Sequence, residues 1–173
     1  MNPVLAAWNA MDEATALEAM LACCGSMRWA AAIVALRPIG SVTELSEAAD
    51  RVWSTMQEPD WLEAFACHPR IGERKAAHAA THAMGRSAAW SQQEQSPVEA
   101  ANERVLDELS EGNRLYEQRY GFTYIVCATG KSAEQMLAIL KRRLAGNLEI
   151  ELREAAEQQR QIMQIRLGKW LVE

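Results

Sequence analysis

The sequence lacks the features that mark membrane, nucleic-acid-binding and disulfide-rich proteins. It contains no run of about 18 apolar residues, the length that a membrane-spanning helix needs. The net charge is -5 and basic residues are mixed with acidic ones, so no basic surface for nucleic acid or an anionic membrane is expected. The four cysteines include the adjacent pair Cys23 and Cys24 and show no Cys-x-x-Cys spacing, which argues against a disulfide framework or a zinc site. These absences exclude nucleic acid and membranes as expected partners and favour a reducing compartment.

The two ends of the sequence carry no recognisable targeting signal. Residues Met1 to Leu5 lack the basic region and the following apolar run of a signal peptide, and Leu171-Val172-Glu173 is no peroxisomal address. We therefore expect a cytoplasmic protein. With 173 residues, 49% of them hydrophobic, the chain can bury one sizeable core, so we expect a single compact helical domain over residues 1–173.

Apolar periodicity and capping residues predict helices along most of the chain. Residues Gly72 to Ala89 show little periodicity and predict a loop or a marginal helix. The one β-rich run, Phe122 to Cys127, is too short to form a sheet, so we expect an extended segment packed on helices. The expected fold class is all-α. The predicted helices run from Asp12 to about Cys23, from Ser26 to about Leu36, from Ser41 or Thr43 toward Gln57, from about Trp61 to His68, from Ser96-Pro97-Val98-Glu99 to Gly121, from Ser132 to Ala145, and from Asn147 to about Leu167.

Arg166 falls near the centre of the apolar stripe of the last predicted helix, so its guanidinium should face inward. Burying an unpaired charge costs several kcal/mol, and Arg166 must therefore meet a carboxylate. That carboxylate could belong to the protein, in an interhelical ion pair, or to a ligand. Arg143 lies nearer the edge of its own helix's stripe, so we expect it to be structural. The stripe around Arg166 consists of Leu148, Leu152, Ala155, Ile162 and Met163.

Two further polar positions each allow a structural and a functional interpretation. His68 precedes Pro69, which disfavours α geometry at the preceding residue, so we expect His68 at a helix end. There it could interact with the helix dipole or act as an acid or base. Ser91-x-x-Glu94 matches a capping box at a helix start, whereas the alternative makes Glu94 a catalytic carboxylate. An imidazole, a carboxylate and an inward-facing guanidinium are what acid/base chemistry on a small anion needs.

A metal site is the weaker interpretation of the histidines. His78 and His82 are spaced four residues apart, which on a helix could hold a metal ion. The residues between them, Ala79-Ala80-Thr81, provide no general-base glutamate, and the usual third ligand is absent. We expect no metal.

Taken together, these segments resemble the family of 2-oxo-4-hydroxy-4-carboxy-5-ureidoimidazoline (OHCU) decarboxylases, the last enzymes on the route from urate to (S)-allantoin. In their order and spacing the shared segments cover most of the chain. They are Gly25-Ser26 with Trp29, Arg37-Pro38, His68-Pro69-Arg70-Ile71-Gly72, Ser91-x-x-Glu94-Gln95, Asn113-x-x-Tyr116, Tyr120-Gly121-Phe122, Arg143-Leu144 and Ile162-x-x-x-Arg166-Leu167.

The resemblance implies an all-α fold, a homodimer, no metal or organic cofactor, and OHCU as the small-molecule substrate. It implies a catalytic site made of His68, Glu94 and Arg166. It also implies that substrate-binding groups come from Pro69, Ser91 and Gln95 and from the extended backbone of Tyr124, Ile125, Val126, Cys127 and Ala128.

Decarboxylation also suits these residue types, since the substrate can delocalise the electron pair that departing CO2 leaves behind. We expect His68 to transfer a proton, Glu94 to orient and charge-stabilise the imidazole, and Arg166 to hold substrate oxygens. Two rival hypotheses predict otherwise. A helical interaction module without catalytic activity would expose a large apolar patch, and a metal-binding regulator would use His78, His82 and a cysteine.

Overall fold

The structure is a computed structural model that describes residues 1–72, 82–95 and 102–173, with the backbone alone at residues 82–84. Within these ranges the chain forms helices joined by turns and extended segments, and no strand. The predicted all-α fold class is confirmed. The helices are α1 (Pro3–Ala10), α2 (Glu13–Cys23), α3 (Met27–Val34), α4 (Val42–Trp53), α5 (Glu58–Ala66), α6 (His82–Glu94), α7 (Glu103–Tyr120), α8 (Ala133–Leu144) and α9 (Leu148–Trp170).

The helix starts follow capping chemistry that is visible in the sequence. The predicted helix starts at Asp12 and Ser26 are confirmed, and of the alternatives Ser41 and Thr43 the cap is Ser41. Each of the three side-chain oxygens accepts a hydrogen bond from the amide three residues later. Helix α1 is absent from the sequence-based prediction. Its start is nevertheless a typical one, with Asn2 as cap and Pro3 in the first helical position.

The chain groups into two compact units, of which the first comprises residues 1–64 and 160–173. Tryptophan side chains fill its core. Trp8 and Trp29 are fully buried, and their indole N–H groups donate to the carbonyl oxygens of Ala16 at 3.0 Å and Ala49 at 3.2 Å. The Trp8 ring packs edge-on against Trp170, with 6.0 Å between ring centroids. Because both indoles are hydrogen-bonded, these large rings are buried without an orphaned donor.

The second unit comprises residues 65–159 and contains the close packing of α7 against α8. Gly112 allows it, because a Cβ there would lie 2.6 Å from Leu140 Cδ2. Gly121 ends α7 as predicted, with φ of +83°. The start of α7 differs from the prediction. It begins at Glu103 after the extended cap Asn102, and the start predicted at 96–99 lies outside the described residues.

Residues 122–127 form neither helix nor strand and are buried apart from Thr123, which is half-buried. The prediction that this run packs in the core without forming a sheet is confirmed, and its extended backbone stays a prediction. Of the two alternatives predicted from Gly72 to Ala89, a loop or a marginal helix, the structure shows a helix from His82 onward, where α6 begins, and residues 73–81 lie outside the described ranges. None of the helices in the described ranges combines the length and apolar character needed to cross a membrane.

Candidate active site

His68 lies just beyond the C-terminal end of α5, with Pro69 following it. Its amide donates to the carbonyl oxygen of Phe65 at 3.1 Å, and its imidazole is half-buried, as is Pro69. The predicted position at a helix end is confirmed, because proline disfavours α geometry at the residue before it.

The loop after His68 is fastened to α7 by side-chain hydrogen bonds. Arg70 Nε and Nη2 each donate at 2.7 Å to the two carboxylate oxygens of Glu117. Ile71 is buried, and its carbonyl oxygen accepts from Asn113 Nδ2 at 2.9 Å. These contacts fix the backbone of the loop that carries the imidazole.

A hydrogen bond from Gly72 joins this loop to the residue that follows α6. Its φ is +84°, a left-handed conformation that L side chains rarely adopt, so glycine is needed here. Its amide donates to Gln95 Oε1 at 3.3 Å. The predicted substrate-binding residue Gln95 therefore lies against the loop that follows His68.

Ser91 and Glu94 lie in the last turn of α6, where Gln95 N donates to the Ser91 carbonyl at 3.1 Å. The capping-box alternative is wrong, because the helix ends at these residues and does not begin there. Ser91 is buried and Glu94 is half-buried. A carboxylate at a helix C-terminus gains nothing from the helix dipole, so helix stability does not explain Glu94.

Gln159 of α9 is a hydrogen-bond partner of the imidazole of His68. Its Oε1 lies 2.6 Å from His68 Nε2, and the residue is fully buried. Its neighbour Gln158 reaches the extended segment, where Oε1 accepts the Cys127 amide at 2.8 Å. The side-chain carboxamides of two consecutive residues of α9 thus bind the imidazole of His68 and the backbone amide of Cys127.

The extended segment is anchored at several polar groups. The Cys127 carbonyl accepts from Lys131 Nζ at 2.8 Å, the Ile125 carbonyl accepts from Arg143, and the Tyr124 hydroxyl donates to the Met136 carbonyl at 3.0 Å. The bonds with Arg143 and Met136 attach the segment to α8, and the bond with Lys131 attaches it to the turn before that helix. A short segment without a strand partner needs such contacts to keep its conformation.

Arg143 forms a buried polar cluster with Glu151 and Tyr116. Its Nε lies 2.8 Å from Glu151 Oε2, and the Tyr116 hydroxyl donates to the same carboxylate oxygen at 2.6 Å. Burial alone would lower the pKa of Arg143, but its electrostatic interactions with Tyr116 and Glu151 raise it. Burial raises the pKa of the Tyr116 phenol, and Arg143 offsets this only in part. These contacts agree with the expected structural role of Arg143, which stays a prediction.

Arg166 lies on α9 and is 2% exposed, so the predicted inward orientation is confirmed. Ile162, Met163 and Leu167 around it on the helix are buried. The predicted stripe is wrong at its N-terminal end, because Leu148 is 50% exposed at the start of the helix.

The glutamines Gln158 and Gln159 are missing from the sequence-predicted site. Gln159 follows Ala155 by four residues and precedes Arg166 by seven, so it lies on the same apolar stripe. Like Arg166, Gln159 is a polar residue on the inward face of the helix, and this pattern was the signal that could have identified it.

The proposed histidine metal site falls outside what the structure describes, since His78 and the side chain of His82 are not among the described groups. Within the described residues, no three or more metal-ligating side chains come together.

Comparison with known sequences shows that the chain matches a protein family. The family model for OHCU decarboxylase matches residues 9–168. The chain is similar to the uric acid degradation bifunctional protein TTL of Arabidopsis thaliana, with 34% identity over 148 residues, 85% of this chain and 44% of the relative. It is also similar to the 2-oxo-4-hydroxy-4-carboxy-5-ureidoimidazoline decarboxylase of Haloferax volcanii, with 23% identity over 133 residues, 77% of this chain and 74% of the relative. The chain thus spans less than half of the Arabidopsis protein.

Comparison of folds agrees with this result. The structure is similar to a crystal structure of OHCU decarboxylase in the presence of (S)-allantoin, with a TM-score of 0.75 and 30% sequence identity. The match covers 90% of this chain and 99% of that chain.

Proposed function

The chain belongs to the OHCU decarboxylase family, and we propose that it converts OHCU to (S)-allantoin in the degradation of urate. The observation that carries the proposal is the family match over residues 9–168, which include His68, Glu94 and Arg166. The relatives' names support it, since they refer to uric acid degradation and to OHCU decarboxylation. We further propose that the protein acts in the cytoplasm as a homodimer without a metal or organic cofactor.

The reaction balances without a cofactor. The bond from the ring carbon to the carboxylate breaks and CO2 leaves. Its electron pair forms a double bond to the neighbouring ring carbon, while the C=N electrons move to the ring nitrogen, which takes up a proton, so that an enol results. The hydroxyl then gives up its proton and becomes a carbonyl, while the neighbouring ring carbon takes up a proton. Delivery of that proton to one face of the ring makes the allantoin (S)-configured.

We assign the proton transfer to His68, the side chain of the proposed site whose unperturbed pKa, about 6.5, lies near neutral pH. Glu94 orients the imidazole and stabilises its charged form. The guanidinium of Arg166 holds anionic or carbonyl oxygens of the substrate through its fork of N–H donors. The half-burial of His68 and Glu94 suits this assignment, because proton transfer requires access to the substrate.

Substrate binding is assigned to Pro69, Ser91 and Gln95 and to the backbone of residues 124–128. In an extended chain the backbone N–H groups of successive residues point to opposite sides. The Cys127 amide donates to Gln158 of α9, so in the extended conformation predicted for this segment the amides of Val126 and Ala128 would point the other way. We assign these two amides as the donors that the segment offers to the substrate.

The test follows allantoin by circular dichroism while urate oxidase and hydroxyisourate hydrolase generate the substrate from urate. We expect rapid formation of optically active (S)-allantoin with this protein. Loss of the imidazole in His68→Asn should lower the rate by about 10²–10⁴, the range typical of a lost general acid or base. Glu94→Ala should also slow the reaction, whereas Gln93→Ala, an exposed neighbour in the same helical turn, serves as the matched control.

A racemic product at the uncatalysed rate would contradict the decarboxylase assignment and favour the helical interaction module. Full activity of His68→Asn would remove the imidazole from the mechanism while leaving the reaction in place.

A further inference from the structure

Gln159 is a polar side chain in an apolar setting. The residue is 0% exposed, and Ala155, Ala156, Ile162 and Met163 around it on α9 are buried as well. Burying a carboxamide is unfavourable unless its groups are hydrogen-bonded. The Nε2 atom of His68, 2.6 Å from Gln159 Oε1, is a partner that helps to explain its position.

The chemistry of the two groups sets the position of a proton. A carboxamide oxygen can only accept a hydrogen bond, so His68 Nε2 must carry hydrogen to bond Gln159 Oε1. In the neutral imidazole, one ring nitrogen carries the hydrogen and the other carries the lone pair. In that tautomer Nδ1 carries the lone pair.

We propose that Gln159 is the positioning residue of His68, holding the neutral imidazole as the Nε2–H tautomer so that Nδ1 exchanges the proton with the substrate. The second half of this statement rests on the proposed function. Since the amide is uncharged, it orients the ring without stabilising the imidazolium by its charge, which is the part that the proposed function assigns to Glu94.

The adjacent residue extends the same arrangement. Gln158 accepts the Cys127 amide at 2.8 Å and donates to Glu154 Oε1 at 3.2 Å. Residues 158 and 159 are consecutive on one rigid helix, so the imidazole and the extended segment share a single frame. A site whose parts are held on a regular element keeps its geometry better than one held by loops.

The tautomer is measured directly by long-range ¹H–¹⁵N correlation NMR of the free protein, which needs no substrate. The protonated and lone-pair nitrogens of a neutral imidazole have well-separated ¹⁵N shifts, and His68→Asn identifies the His68 signals among the three histidines. We expect the Nε2–H form in the wild type and a mixture of tautomers in Gln159→Met. Gln164→Met is the matched control, because that glutamine of α9 bonds to Ser46 and Asp50 instead.

An Nδ1–H tautomer in the wild type would overturn the proposal, because the amide would then be donating to the ring. A tautomer unchanged in Gln159→Met would overturn it too. If the Met variant does not fold, the wild-type spectrum alone still decides between the two tautomers.

Gln159→Glu tests the positioning role by pH. A carboxylate beside Nε2 should raise the His68 titration midpoint by about 1–3 pH units, and the limb of the kcat profile that depends on His68 should move upward with it. Gln159→Met should lower kcat by about 10²-fold, as expected for a misplaced reacting group, with KM changed less. A midpoint that stays in place in Gln159→Glu would overturn the role of Gln159. Inactive wild-type protein with the Nε2–H tautomer would instead overturn the proposed function and leave the tautomer assignment standing.

Discussion

Two polar arrangements on α9 differ in what they do with a buried charge. Around Glu151, the carboxylate meets the guanidinium of Arg143, which also lies over the rings of Tyr116 and Tyr124 at 5.7 and 5.0 Å from their centroids. Eight residues later along the helix, Gln159 offers a neutral amide oxygen to an imidazole that is only half-buried.

The charge of the partner and the degree of burial distinguish polar groups that stabilise the fold from polar groups that can take part in a reaction. In the Arg143 cluster both charges are enclosed, 3% and 4% exposed, and each neutralises the other. Proton transfer there would leave a buried charge without a partner. The imidazole of His68 is held by an uncharged group and can change its own charge. The comparison predicts that the first arrangement controls stability and the second controls activity.

The largest expected effect comes from removing the guanidinium. Arg143→Met should lower the free energy of unfolding by about 3–5 kcal/mol, because Glu151 would be left as a buried, uncompensated carboxylate. Urea denaturation measures the loss. The neighbouring Arg142 is exposed, so Arg142→Met is the matched control and should change stability by no more than about 0.5 kcal/mol.

The double variant Arg143→Met with Glu151→Leu sharpens the comparison. Replacing both charges by apolar groups removes the unpaired carboxylate, so much of the lost stability should return. If Arg143→Met alone were nearly neutral, the cluster would not be the closed ion pair described here, and the contrast with His68 would fail.

Alkaline pH gives a smaller effect on the same cluster. Burial raises the pKa of Tyr116 and of Tyr124 above 10, the ordinary value. The unfolded chain therefore releases these protons above pH 10 while the folded protein keeps them, so stability falls as pH rises. For each such tyrosine the slope is about 0.7 kcal/mol per pH unit at pH 10 and approaches about 1.4 kcal/mol per pH unit above pH 11. Urea denaturation between pH 9 and 11 measures this slope, and Tyr116→Phe should reduce it by one tyrosine's share. An equal slope in both proteins would mean that Tyr116 ionises in the folded state.

Much of the fold is predictable because it depends on local patterns. The caps Asp12, Ser26 and Ser41 and the stop at Gly121 are confirmed, since capping and left-handed glycine are properties of a few neighbouring residues. The inward orientation of Arg166 is confirmed for a similar reason, because periodicity alone sets the face of a helix.

The errors arise where one local pattern fits two structures. Ser91-x-x-Glu94 has the residue types of a helix start, yet it ends α6, and the low periodicity before it hid the helix that begins at His82. The contact between Gln159 and His68 joins residues 91 positions apart, and no local rule supplies such a pair. The sequence shows Gln159 as a polar residue on an apolar stripe, which predicts that it is buried but does not identify His68 as its partner.

The smallest expected effect concerns the exposed counterpart of the Arg143 pair. Arg70 and Glu117 form a two-bond ion pair of equally good geometry, with both distances 2.7 Å, but the Arg70 side chain is 51% exposed. Water solvates both charges when the pair is broken, so Glu117→Gln should lower the free energy of unfolding by about 1 kcal/mol or less. Urea denaturation measures it, and about 0.5 M NaCl should remove most of the difference because it screens exposed charges. A loss as large as that of Arg143→Met would show that hydrogen-bond geometry, and not enclosure from water, determines what an ion pair contributes in this protein.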